Sequence, residues 1–339
     1  MPSAGPGHGG GVLAAARARG IAPEEWLDLS TGINPQGWPV PPVPPQVWQR
    51  LPEAEDGLEA AAHACYRTRC LLPVPGSQAA IRLLPTLFPR TSVAMPAPLY
   101  AEHPLAWQAA GHRVLFCAAG DLEAALATDT SVLLLCNPNN PTAHRLESAE
   151  LLAAARWLAR RGGWLIADEA FADAEPECSI APLAGTAAHP NLIVLRSPGK
   201  FFGLAGLRIG FVLGAETLLA RIAARLDPWA VSHPARWAAA HALRDADWQH
   251  ANSARLRADK AHLVEMLLPL AEDAAPMATS LFVTLRRADA QELFDFLGER
   301  AILARHFPAE NLLRFGLPGT TAAWKRLAAT LSEWSLPHA

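Results

Sequence analysis

The chain has 339 residues, 51% hydrophobic and 18% charged, with 29 basic against 32 acidic residues and a formal charge of −3. That length exceeds what one core usually supports, so two lobes are expected, and a near-neutral balance without a basic run excludes nucleic acid as an expected partner. No uncharged apolar segment of about 18 residues occurs, and the first residues lack a charged-then-apolar leader, which predicts a soluble, cytoplasmic protein with no membrane contact.

The predicted elements run as follows. A glycine-rich arm, Gly5-Pro6-Gly7-His8-Gly9-Gly10-Gly11, leads into a short helix over 12–19. A brief strand then enters the Asn34-Pro35 turn, and the proline-rich run 35–45 is expected to cross between lobes. Helical spacing follows over 56–66. The run 71–74 reads as a strand that stops at Gly76-Ser77-Gln78 and restarts as a helix, which leaves backbone N–H groups where an anion can sit.

Five further apolar runs, 91–95, 113–117, 131–136, 164–167 and 191–195, alternate with helical stretches, clearest at 146–161. This is the pattern of an α/β protein with a mostly parallel sheet covered on both faces. Beyond residue 216 come helices to about 225 and over 236–270, strands at 279–285, 301–304 and 312–316, and helices at 291–298 and 321–334. These form a smaller α+β lobe completed by the N-terminal arm. The expected organisation is therefore 1–45 as arm and part of the small domain, 46–225 as the large cofactor-binding domain, and 226–339 as the small C-terminal domain.

In such sheets the ligand lies beyond the carboxyl ends of the strands, and the residues there are informative. Lys200 follows the run 191–195, with Ser197 three residues before it and Arg208 eight after it. An amine that carries pyridoxal phosphate needs a dry, fixed pocket, and the cofactor phosphate needs hydroxyl, N–H and guanidinium donors, here Ser77, Gln78, Ser197 and Arg208. Asp168 ends a buried strand, where its carboxylate would keep the pyridine nitrogen protonated. Asn140 offers an amide to the phenolic oxygen, and Tyr100 a flat cover for the ring. Lys200, Asp168 and Tyr100 are the expected catalytic residues. The five cysteines, Cys65, Cys70, Cys117, Cys136 and Cys178, are scattered without a CxxC spacing, which fits reduced thiols and predicts no metal site.

The segments Asn137-Pro138-Asn139-Asn140-Pro141-Thr142, Asp168-Glu169-Ala170-Phe171, and Ser197 through Lys200 to Arg208 together resemble the class I/II aminotransferases, fold type I pyridoxal enzymes. The resemblance implies a seven-stranded, mostly parallel sheet in the large domain and a homodimer. His8-Gly9-Gly10 followed by Leu27-Asp28-Leu29-Ser30 and Ile33-Asn34-Pro35 looks like the opening of the threonine-phosphate decarboxylase branch, in which the arm folds over the substrate. That branch implies decarboxylation of L-threonine O-3-phosphate to (R)-1-amino-2-propanol phosphate and carbon dioxide in cobalamin biosynthesis. It also implies substrate contacts from His8, Gly9, Gly32, Asn140, Arg305 and Arg314, with Arg314 on the carboxylate and Arg305 on the phosphate. A histidinol-phosphate-type aminotransferase is the alternative, and a non-catalytic pyridoxal-fold binding protein the remote one.

Three positions depart from the family pattern. Phe171 stands where most relatives place a tyrosine that meets the phenolic oxygen, which predicts a raised pKa for the lysine–cofactor imine. Leu51 stands where relatives carry a tyrosine that reaches the phosphate of the neighbouring subunit. Ala143 replaces a glycine, a change expected to be minor.

Overall fold

The apolar runs that end in polar loops become neighbouring strands of one sheet. The computed structural model describes residues 8–127, 129–272 and 274–334; residues 5–7 of the expected arm lie outside them. In chain order the helices are α1 (Val12–Arg19), α2 (Pro45–Gln49), α3 (Leu58–Tyr66), α4 (Ser77–Leu83), α5 (Glu102–Ala109), α6 (Leu122–Ala127), α7 (Ser148–Ala159), α8 (Glu216–Ala223), α9 (His233–Arg244), α10 (Ala246–Leu267), α11 (Ala290–Glu299) and α12 (Thr321–Trp334). The strands are β1 (Leu27–Asp28), β2 (Leu71–Val74), β3 (Ser92–Ala97), β4 (Arg113–Ala118), β5 (Val132–Cys136), β6 (Trp164–Asp168), β7 (Leu192–Arg196), β8 (Gly210–Leu213), β9 (Met277–Thr279), β10 (Phe282–Arg286), β11 (Ile302–Leu303), β12 (Arg305–Phe307) and β13 (Leu312–Gly316).

The chain divides into two compact units. The larger comprises Gly37–Asn140 and His144–Ser253; the smaller takes the N-terminal segment to Gln36, Pro141–Ala143 and the chain from Ala254 onward.

The larger unit holds a seven-stranded sheet of order β2-β8-β7-β6-β5-β3-β4. Strands β3 to β7 are parallel, whereas β8 runs antiparallel to both β7 and β2. The connection, residues 197–209, is folded into the tight loop around Lys200 and holds only a 3-10 turn, Ala205–Leu207, with no α-helix to carry the chain across the sheet face for a parallel return. Strands β5, β7 and β8 are buried at every position, as a sheet covered on both faces requires. Met95, Trp107, Leu134, Ile166, Ile193 and Val212 anchor its core. The register pairs Cys136 with Asp168 and Asp168 with Leu195, so β5, β6 and β7 end level and their following loops emerge along one edge.

In the smaller unit β12-β13-β10-β9 form an antiparallel sheet, and β1 pairs in parallel with β11. Arg19 on α1 pairs with Asp295 on α11 at 2.8 Å. Ala16, Trp26 and Ala301 form a small apolar cluster beneath them.

Several elements differ from the sequence expectation. No strand is expected at β8 or β12. The expected strand 279–285 is instead the hairpin β9–β10, and the expected helix 236–270 is broken at Asp245. The Asp245 carboxylate accepts the Trp248 N–H at 3.0 Å, opening α10, and the Trp38 indole N–H at 2.9 Å. The unit boundaries fall at 36/37 and 253/254, where the sequence reading had 45/46 and 225/226. Helix α9 stays with the larger unit because Arg236 donates to Asp56 Oδ2 at 2.5 Å and to Glu59 Oε2 at 2.7 Å, tying it to the start of α3.

All five cysteines are free. Burial is the leading cause that pushes every one of their thiols up, Cys65 to about 12. Among the described residues no helix is long and apolar enough to cross a membrane.

Candidate active site

Lys200 stands four residues beyond the end of β7, in a tight loop. Its N–H donates to Ser197 O at 3.1 Å, and Phe202 N–H donates to Pro198 O at 3.0 Å. Gly199 lets the loop close, since a Cβ there would lie 2.9 Å from Ala205 Cα. The two residues after the lysine anchor it: Phe202 stacks on Trp248 at 5.6 Å and 15°, and Phe201 meets the same indole edge-on at 5.7 Å. Lys200 Nζ lies 5.8 Å from the Phe171 ring centroid.

Asp168 ends β6 and is only 5% exposed. Its Oδ2 bonds His103 Nε2 at 2.9 Å and its Oδ1 accepts the Ala170 N–H at 3.1 Å, so the carboxylate is fixed in both position and plane. His103, on α5, meets Tyr100 edge-to-face at 6.0 Å. The Tyr100 hydroxyl donates to Gln78 Oε1 at 3.2 Å, and Gln78 Nε2 donates to Glu102 Oε2 at 2.6 Å. Burial, reinforced by Glu102, Asp168 and Cys136, pushes the Tyr100 phenol up to about 12, so it remains a neutral donor. His103, Cys136 and Asp168 also bring ligating atoms within 4.8 Å of one another. Burial pushes the Cys136 thiol well above its usual range, and a neutral thiol is the poorer metal ligand.

Gly76 makes the turn from β2 into α4 with φ +76°, and a Cβ there would lie 2.8 Å from Arg208 Nη2. Arg208 itself is left-handed, φ 54°, and its Nη1 donates to Ala205 O at 3.3 Å. Gly210 at the start of β8 approaches Ser77 N, where a Cβ would lie 2.5 Å away. The guanidinium of Arg208 thus passes over the turn that presents Ser77 and Gln78. Asn140 is half-buried at the end of the loop after β5. That loop is held by Asn137, which donates to Leu146 O at 3.1 Å and accepts its N–H at 2.9 Å, and by Asn139, which donates to Pro98 O at 2.8 Å.

Pyridoxal phosphate fits these residues on two observations. A buried carboxylate immobilised by His103 suits a protonated ring nitrogen, and the glycine turn opens a cradle of N–H donors beneath a guanidinium.

Of the expected substrate residues, Asn140 lies in the larger unit and the others, His8, Gly9, Gly32, Arg305 and Arg314, in the smaller. Arg305 on β12 and Arg314 on β13 stand directly opposite each other in register. Arg314 is 5% exposed, donates to Ser30 O at 2.8 Å and lies 5.0 Å from the Phe282 ring. Burial lowers both guanidinium pKa values, Arg314 to about 9, with the charge of Arg305 adding to its shift. Gly9 packs on the Ser30 carbonyl, His8 is exposed beside it, and Gly32 is buried.

Sequence reasoning passed over His103, whose only signal was its place after the run 91–95. It also passed over the buried cluster behind the loop following β6. There Arg196 donates to Glu169 at 2.7 Å and to Asp173, and Ser179 donates to Glu169.

A lysine on the loop after a sheet strand, a buried carboxylate on the next strand and an anion cradle at a glycine turn define a fold type I pyridoxal enzyme. The sequence model of the family "Aminotransferase class I and II" matches residues 58–331, and the chain belongs to that family. It is 46% identical over 330 residues to a threonine-phosphate decarboxylase of Pseudomonas aeruginosa, covering 97% of this chain and 98% of that protein. It is 43% identical over 341 residues to a protein of the same name from a Sinorhizobium species, covering 97% and 98%. Among solved structures it resembles the histidinol-phosphate aminotransferase of Sinorhizobium meliloti in complex with pyridoxal-5'-phosphate, with TM-score 0.80, 20% identity and coverage of 98% and 95% of the two chains.

Proposed function

We infer that the protein is a pyridoxal phosphate-dependent carboxy-lyase that converts L-threonine O-3-phosphate to (R)-1-amino-2-propanol phosphate and carbon dioxide, a step of cobalamin biosynthesis. The observation that carries this reading is the near full-length identity of 46% and 43% to two threonine-phosphate decarboxylases. The paired guanidiniums support it. A buried arginine beside a half-buried one is costly to hold, and a substrate with a carboxylate and a phosphate offsets that cost in bidentate contacts.

When bound, pyridoxal phosphate supplies the electron sink that takes up the pair left as carbon dioxide departs. Ser77, Gln78, Ser197 and Arg208 hold its phosphate, Asp168 keeps its ring nitrogen protonated, Asn140 donates to its phenolic oxygen and Tyr100 covers its ring. Lys200 would hold it at Nζ and, once displaced by the substrate amine, would give Cα the proton that takes the place of the departing carbon dioxide. Arg314 takes the substrate carboxylate, and Arg305 with His8 and Gly9 takes the phosphate, alongside Gly32 and Asn140. The working form is a cytoplasmic homodimer; exposed Trp48, Leu51 and Trp229, at 67%, 59% and 54%, support an apolar contact with a second copy.

The test is product analysis. Purified holoenzyme given L-threonine O-3-phosphate should release one equivalent of carbon dioxide with no amino acceptor added. A requirement for 2-oxoglutarate, with a 2-oxo acid as product, would instead identify an aminotransferase.

A further inference from the structure

Ser30 follows β1 and is 2% exposed, and all of its polar groups are engaged. Its N–H and hydroxyl both donate to Asp28 Oδ1, at 2.8 and 2.6 Å. Its Oγ accepts the Gly10 N–H at 2.7 Å, and its carbonyl accepts Arg314 Nη2 at 2.8 Å. Gly9 is pressed so closely on that carbonyl that a Cβ would collide with it. On the other side Gly316 donates to Leu29 O at 2.7 Å and lies so near Thr31 O that it too has no room for a Cβ.

The direction of these bonds matters. Asp28 consumes the one hydroxyl proton of Ser30, so Oγ presents only lone pairs to the arm and can do nothing there except accept an N–H. The Ser30 carbonyl, on the next peptide after the N–H held by Asp28, accepts Arg314 Nη2 and sets the direction in which it is held. One serine therefore touches both the arm and the arginine.

We propose that Ser30 is a positioning residue, a latch that couples the seating of residues 8–10 to the orientation of Arg314 and so selects a substrate carrying two anionic groups. The proposal rests on the reading above, in which Arg314 takes the carboxylate and the arm the phosphate. Asp28 sets the latch. The Gly10 N–H bond to Oγ seats the arm beside the carbonyl that holds Arg314, and its loss is expected to weaken substrate binding about tenfold.

The experiment compares holoenzymes of wild type, Ser30→Ala and Asp28→Asn. In Ser30→Ala, KM for L-threonine O-3-phosphate should rise about tenfold, more than kcat falls, and amide hydrogen exchange over residues 8–10 should quicken. Asp28→Asn keeps an accepting oxygen for the Ser30 hydroxyl and should show less than half of each change. Unchanged KM together with unchanged exchange in Ser30→Ala overturns the latch, including the case where only the melting temperature drops. If wild type releases no carbon dioxide from this substrate, the functional reading fails by itself. Exchange at residues 8–10 then decides the latch alone, faster in Ser30→Ala if it exists and unchanged if it does not.

Discussion

Phe171 is buried, and its ring centroid lies 5.8 Å from Lys200 Nζ. On the proposal that Lys200 carries the cofactor, an apolar ring at this point would offer the phenolic oxygen no proton, and the lysine nitrogen would hold its own more firmly. Phe171→Tyr supplies a hydroxyl donor. The pH midpoint of the holoenzyme's visible absorbance change is expected to fall by about one unit, the equivalent of about 1.4 kcal/mol; an unchanged midpoint would show that position 171 does not tune the nitrogen. Ala143 is a second informative residue. The sequence reading treats its replacement of a glycine as minor, yet its φ is 55°, in the left-handed region where a Cβ costs about 1–2 kcal/mol. Ala143→Gly relieves that strain at some cost in unfolded-chain entropy, for an expected net gain of about 0.5–1 kcal/mol, seen as a higher urea midpoint at constant m.

At the scale of elements, the end of β7 and the loop after β6 are joined by one guanidinium shared between two buried carboxylates. Burial works against the Arg196 charge, but Asp173 and Glu169 outweigh it and keep the arginine protonated. Burial likewise pushes Glu169 and Asp173 up from their usual values. Arg196→Met leaves both carboxylates without their cation and is expected to cost about 3–5 kcal/mol near neutral pH. Because the folded carboxylates have raised pKa values, their favourable contribution is present below the unfolded pKa and is lost as pH rises through the folded one. The variant's deficit should therefore shrink as the pH is lowered toward about 4, and urea unfolding at two pH values measures it. This cluster was illegible in the sequence. Glu169, Asp173, Ser179 and Arg196 are brought together only by the parallel β6–β7 register, and nothing in their spacing announces a shared guanidinium.

At the scale of the whole molecule, the parallel strands are legible because each is a short, mostly apolar run between turn residues, and the loops at their ends carry Asn140, Asp168 and Lys200 in view. The strand β8 is not, because the glycines, Arg208 and the apolar run blend into the loop that follows the lysine. Its antiparallel direction depends on how residues 197–209 fold back on themselves without an α-helix, which only the finished fold shows. The break at Asp245 escaped notice because helical periodicity continues on either side of it, and only the Trp38 indole and the Trp248 amide reveal the aspartate as a terminus. His103 was missed for a related reason: its partner Asp168 is 65 positions away.

The five thiols carry a practical consequence. Burial raises each of them, so at neutral pH each holds less of the reactive thiolate than an exposed cysteine does. A cysteine introduced at exposed His8 is therefore expected to take a maleimide dye faster than the native five. The arm would become visible to fluorescence in an otherwise unaltered polypeptide.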